Sequence, residues 1–233
     1  MPQNENIPTY DAPTNRTQLW RGCILGSIAH AVMVAKYPDL SNEQSWDGSN
    51  YNIQDSAGSR GTVSFSEDSF FAAFFDKNSP NNPFKRRDSN NKIEKYLHGM
   101  PPELNKLAFE EALQYLLQEL GGKAVPVITA AFWGQQSYAK AAEPWDSVFR
   151  HGAHLIRVPL MTIETALGEW NKLYEFSGAQ SALVQNVYNR RIKDIGSAIH
   201  LDREEIETIR NLAGTSSGIE ESQSSFSEIG IFF

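Results

Sequence analysis

Gln18, Cys23 and His154 are the residue types of a thiol hydrolase. A thiolate is a strong nucleophile, an imidazole can take its proton, and a glutamine amide can stabilise the oxyanion formed on an attacked carbonyl. The stretch QLWRGCILGS puts Gln18 five residues before Cys23 at the front of an apolar run, and HGAHLIRVPL offers His154 as a base. A thiol at a helix N-terminus is acidified by the dipole. With a helix beginning at Thr17, however, Cys23 falls in the second turn, where that effect has faded. A lone cysteine on an apolar helix is ordinarily a small buried hydrophobe.

In general layout this arrangement resembles the thiol peptidases of the papain type. The resemblance implies a cysteine hydrolase with Cys23 as nucleophile, His154 as base and Gln18 as oxyanion donor. Neither CGSCW nor another local signature of such enzymes is present. His30 follows Cys23 by seven residues, about 10.5 Å along one straight helix, so the two cannot form a dyad. Ser27, three residues before His30, is within its reach, and the expectation is a satisfied core histidine.

His151 and His154 have a spacing that could present two imidazoles to a metal. No His-Glu-x-x-His or Glu-x-x-His pattern supplies further ligands, so no metal is expected. The acid pairs Glu110-Glu111, Glu204-Glu205 and Glu220-Glu221 fall on exposed helix faces or in the C-terminal tail and do not read as glycosidase carboxylates.

NIQDSAGSRGTVSF, from Asn52 to Phe65, could hold a phosphate in a glycine-rich nest with Arg60 beside it. A P-loop needs a lysine and a following helix, whereas Arg60-Gly61-Thr62 leads into an alternating, strand-like pattern. The loop therefore reads as a hairpin turn. Gly58 and Gly61 would supply positive φ, Asp55 and Ser56 would bond turn amides, and Arg60 would stand at an exposed tip, open to a partner. Trp46 and Asp47, in a polar loop, are the other candidates for partner contact, since tryptophan is enriched at recognition surfaces.

The elements that must position these residues follow from periodicity. The first sixteen residues read as an extended arm. A helix from Thr17 to Lys36 is apolar on nearly every face and should be buried all round, with Gly22 and Gly26 admitting close approach. Tyr51 to Ile53, Thr62 to Phe65 and Phe70 to Phe75 read as a three-stranded meander, the last with a short helix as its alternative. Helical stripes run over 104–116, 145–156, 163–174 and 183–192. A fifth opens at Asp202 with Glu205 at capping-box spacing. Residues 124–134, apolar throughout, are strand or helix with nothing in the pattern to decide. The Ser- and Glu-rich residues 214–233 read as a mobile tail.

The expected fold is α+β and mainly α: an N-terminal buried helix and a small antiparallel β-meander packed on a C-terminal helical bundle. One globular domain should cover 17–213, with 17–77 the helix plus meander and 101–213 the bundle. A chain of 233 residues, 40% hydrophobic and 11% aromatic, can bury such a core. Its formal charge of −7 argues against nucleic acid as a partner, and the cluster Lys85-Arg86-Arg87 reads as solvated. One cysteine excludes an internal disulfide and fits a reducing cytoplasm. The N-terminus has neither the basic nor the apolar region of a signal peptide, and the longest uncharged run, fourteen residues from Gly22, is too short to span a bilayer. The function expected is a non-enzymatic cytoplasmic protein-binding module, an inhibitor or immunity-type neutraliser of a basic protein partner. No cofactor and no membrane is involved, and the contact surface would comprise Trp46, Asp47 and Arg60. The alternatives are the cysteine hydrolase and a small-molecule site beside the glycine-rich turn.

Overall fold

A computed structural model describes residues 8–85 and 92–233. Arg86 and Arg87 of the basic cluster, and residues 1–7 of the expected arm, lie outside the described residues. In chain order the elements begin with β1 (Tyr10–Asp11), α1 (Arg16–Val34), β2 (Gln44–Asp47), β3 (Asn50–Gln54), β4 (Arg60–Phe65), β5 (Ser69–Phe75) and the short α2 (Glu94–Leu97). They continue with β6 (Leu117–Leu120), β7 (Lys123–Pro126), β8 (Ala130–Gln135), β9 (Ala139–Ala141) and α3 (Trp145–Arg150). The last third holds α4 (Ile163–Leu173), α5 (Gly178–Lys193), β10 (Ile199–His200), α6 (Arg203–Leu212), α7 (Ser216–Ser227) and β11 (Ile231–Phe232). By internal contacts the chain divides into two compact units, Met1–Thr17 with Asn52–Leu155, and Gln18–Tyr51 with Ile156–Phe233.

The expected mainly helical fold, a small meander on a helical bundle, is corrected by the sheet. Seven strands form one antiparallel sheet in the order β1-β9-β8-β5-β4-β3-β2, with 48% of the chain helical and 20% strand. The three runs read as a meander are β3, β4 and β5, and the third is a strand rather than a helix. The undecided stretch 124–134 contributes the end of β7 and most of β8.

In the first unit the sheet is apolar on both faces. Side chains alternate along a strand, so Phe71, Ala73 and Phe75 of β5 share one face with Ala131 and Trp133, their register partners on β8 being Trp133 for Phe71 and Ala131 for Ala73. That face packs on Ile93, Tyr96, Leu104, Ala108, Ala112, Leu113 and Leu116 in one buried cluster. The stripe over 104–116 is apolar as expected, but the chain there is a 3-10 turn, a π turn and another 3-10 turn running into β6. On the opposite face Phe132 stacks on Phe74 and meets Phe70 and Trp145 of α3 edge-on. The helix expected over 145–156 breaks near Gly152, whose backbone lies against the Phe74 ring with no room for a Cβ.

In the second unit α1 is buried from Leu19 to Val34 except for the exposed Arg21. Gly22 takes the carbonyl of Pro159 against its backbone, and Gly26 lies under the Trp170 ring of α4. Residues 216–227, expected to be mobile, form α7. Thr215 caps it, and its Ser222 hydroxyl donates to the Ala31 carbonyl of α1 at 2.7 Å. The capping box expected at Asp202 and Glu205 is present, and Glu205 also receives both bonds of Arg190 Nη2, at 2.6 and 2.8 Å. Among the described residues no helix is long and apolar enough to cross a membrane.

Gly22→Ala sets two effects against each other. Alanine favours an interior helix position by about 1 kcal/mol, but its Cβ would occupy the space of the Pro159 carbonyl, and overpacking costs about 1–3 kcal/mol or more. The expected outcome is a net loss of stability, read as a lower urea midpoint with little change in slope.

Candidate functional site

Cys23 is wholly buried, and burial pushes its thiol pKa well above the ordinary value, the reverse of thiolate activation. Gln18, five residues earlier on the same helix, is exposed. Five residues turn a helix by roughly 140° beyond a full circle, so the two side chains diverge. His154 sits in a 3-10 turn, Ala153–Ile156, of the first unit, while Gln18 and Cys23 belong to the second. His30 is 1% exposed and does not bond Ser27. Its Nε2 faces the Ser41 carbonyl at 3.3 Å, and its Nδ1 has no bonding partner. Burial lowers its pKa to about 4. The core histidine is thus half satisfied, correcting the expectation.

Trp46 is turned to its own unit. Its indole Nε1–H donates to Ser27 Oγ at 2.7 Å, and the Ser27 hydroxyl donates to the Cys23 carbonyl at 2.9 Å. The ring leans on Tyr51, centroids 5.4 Å apart. Tyr51 in turn donates to Gln44, and Gln44 to Tyr174. The backbone N–H of Trp46 donates to Glu228 Oε2 at 2.7 Å, so a carboxylate covers this amide of β2. Asp47 is exposed at the turn, and its charge, after desolvation, helps raise the Glu228 pKa.

Arg60 is not at the loop tip. It is the first residue of β4, with Phe75 as its register partner, and its guanidinium lies over that ring at 5.9 Å. Nη2 donates to the Leu117 carbonyl at 3.2 Å, and Nε is buried without a partner. Desolvation lowers its pKa, with no carboxylate acting to raise it. The turn itself is built by Asp55, whose side chain accepts from Ser59 N–H, and by Gly58 at φ +88°. Gly61 has no positive φ. It is small because the Phe74 ring occupies the place of a Cβ.

One pair with chemical character escaped the sequence reading. Ser79 Oγ lies 3.0 Å from His151 Nδ1, and the His151 carbonyl accepts from Thr129 at 2.6 Å. Ser79 is only 2% exposed, and its oxygen already takes the Asn81 N–H. No described carboxylate bonds the other ring nitrogen. A nucleophile must reach its substrate and needs an oriented base, so this pair clamps the chain around Asp76 instead. Among the described residues no group of three His, Cys, Asp or Glu could hold a metal.

A shallow groove of about 420 Å³ in the second unit is lined by Glu220, Gln223, Ser224, Ser227, Phe232 and Phe233. The first four recur at helical spacing along one face of α7. Phe232 of β11 is 40% exposed, and Phe233 packs on the buried Phe226. An acid, three neutral polar groups and two phenylalanines thus share a surface on a capped helix. The reading of the tail as mobile concealed it, although Thr215 at N-cap spacing was a visible signal. Compared with known proteins, the chain matches no family model, no curated protein and no solved structure.

Native Cys23 is expected to react with iodoacetamide only as the protein unfolds, with no labelling step near neutral pH; fast labelling of the folded state would restore a catalytic thiol. His30 sets a pH dependence. Its folded pKa lies below the unfolded value of 6.5, so the unfolded state binds the extra proton and stability falls as pH drops. The loss begins near pH 6.5, reaches about 2 kcal/mol by pH 5 and levels near 3 kcal/mol below pH 4. Urea unfolding across pH 7 to 5 should show that slope, and His30→Leu should flatten it.

Proposed function

We propose that this protein is a non-enzymatic, cytoplasmic protein-binding module, of the inhibitor or neutraliser type, whose partner is a basic protein. The observation that carries the reading is the groove on α7, where Glu220 stands beside the phenylalanines of the C-terminal strand. Interface cores favour aromatic side chains on a well-held frame, and opposite charge at the rim speeds encounter and sets orientation. Most of the chain's net negative charge falls in the unit that holds the groove, and exposed Asp47 adds to it. A buried, protonated Cys23 suits a structural role. The class of partner is a segment carrying Lys or Arg next to an apolar side chain.

A labelled peptide of alternating Lys and Leu, titrated at low salt, tests this. Glu220→Lys is expected to weaken binding about tenfold, equivalent to about 1.4 kcal/mol, and Phe232→Ala to weaken it as well. Glu103→Lys, an equal change in net charge on an exposed turn of the other unit, should have little effect. Equal loss with both lysine variants would reduce the binding to bulk charge and remove the groove from the account.

A further inference from the structure

We propose that the surface around Arg60, Phe84 and Lys85 in the first unit is a second docking site, opposite in sign to the groove, that takes an acidic peptide segment with apolar flanks. Three cations are carried by segments that touch one another there, in an otherwise acidic chain. Arg60 lies over Phe75, and Phe75 meets Phe84 edge-on at 6.3 Å, so Arg60 and Phe84 flank one ring. Lys85, next in sequence to Phe84, reaches back to donate to the Asn78 carbonyl at 2.7 Å. The Lys77 side chain passes over Gly58, two residues before Arg60. No described carboxylate pairs with any of the three.

Two apolar groups complete the surface. Phe84 is 46% exposed and Leu117, whose carbonyl holds the Arg60 guanidinium, is 37% exposed. A guanidinium drawn down onto an aromatic ring loses water, and the cation–π contact recovers part of that cost. The natural compensation is a carboxylate, and among the described residues none pairs with it. Nη2 is engaged and Nε is buried, which leaves Nη1 as the donor for an incoming anion. Phe84 and Leu117 would then receive apolar residues on either side of that acid.

A peptide fits better than a nucleic acid. A polyanion brings a phosphate with every nucleotide and would be repelled by the chain's charge of −7. A segment with one or two carboxylates meets the cations at short range and little of that repulsion.

The test is fluorescence anisotropy with a labelled ten-residue peptide carrying two Glu among Leu and Ser, against the full chain at low salt. Binding that weakens with salt, falls about tenfold in Arg60→Gln or Lys85→Glu, and falls in Phe84→Ala supports the site. Lys85 and Phe84 are exposed, so those two variants report even if Arg60→Gln loosens the fold; unchanged urea midpoints confirm that they do. Failure of the wild type to bind the peptide overturns the proposal. So does undiminished binding by the Lys85 and Phe84 variants, or tighter binding of a decathymidylate than of the peptide.

Discussion

Two segments of this chain have no polar face to give to water, and the rest of the structure is arranged to cover them. Phe70–Phe75 pairs its Phe and Ala residues, Phe-Phe-Ala-Ala-Phe-Phe, so that each face of β5 reads Phe-Ala-Phe and both are apolar. A strand of that kind cannot lie at the surface of a one-sided sheet. It is the hydrogen-bonded neighbour of β4 and β8, with the 93–116 segment on one face and α3 with Gly152 on the other. Helix α1 poses the same demand in cylindrical form. Its glycines admit a carbonyl and an indole ring, and α7 closes on it through Gly218 and Ser222.

What the sequence disclosed follows from how each segment meets that demand. The all-round apolar pattern of α1 announced its burial, and the capping box at Asp202 and Glu205 announced the start of α6, because both signals are local. The stripe over 104–116 was equally apolar but does not hold one helical pitch. Its residues answer to the sheet face above them, and the chain switches between 3-10 and π turns to keep Leu104, Ala108, Leu113 and Leu116 in contact with it. Tertiary packing there overrides the local period.

Helix α7 was missed for the opposite reason. Its buried face is Gly218, Ser222 and Phe226, four residues apart, so it approaches α1 through smallness and a side-chain hydrogen bond rather than through an apolar stripe. A hydrophobic pattern carries no trace of such an interface, and the groove on the outer face of α7 was hidden with it. Trp46 misled in the same way. Its position beside Asp47-Gly48 reads as a polar loop, yet it lies on β2 and its indole N–H has a buried serine to bond, which draws the ring inward.

Arg60 shows where local reading and structure part most instructively. Sequence placed it next to a turn and offered it to a partner because tips are exposed. The structure moves it onto β4, opposite Phe75. Leucine at that position would cover Phe75 with no charge to desolvate, so arginine is the costlier residue for the packing alone. Among the described residues, a bond to the Leu117 carbonyl and the contact with the Phe75 ring are what hold that charge in place. The fold thus covers its apolar segments yet leaves a partly buried guanidinium beside exposed Phe84, with no described carboxylate paired to it.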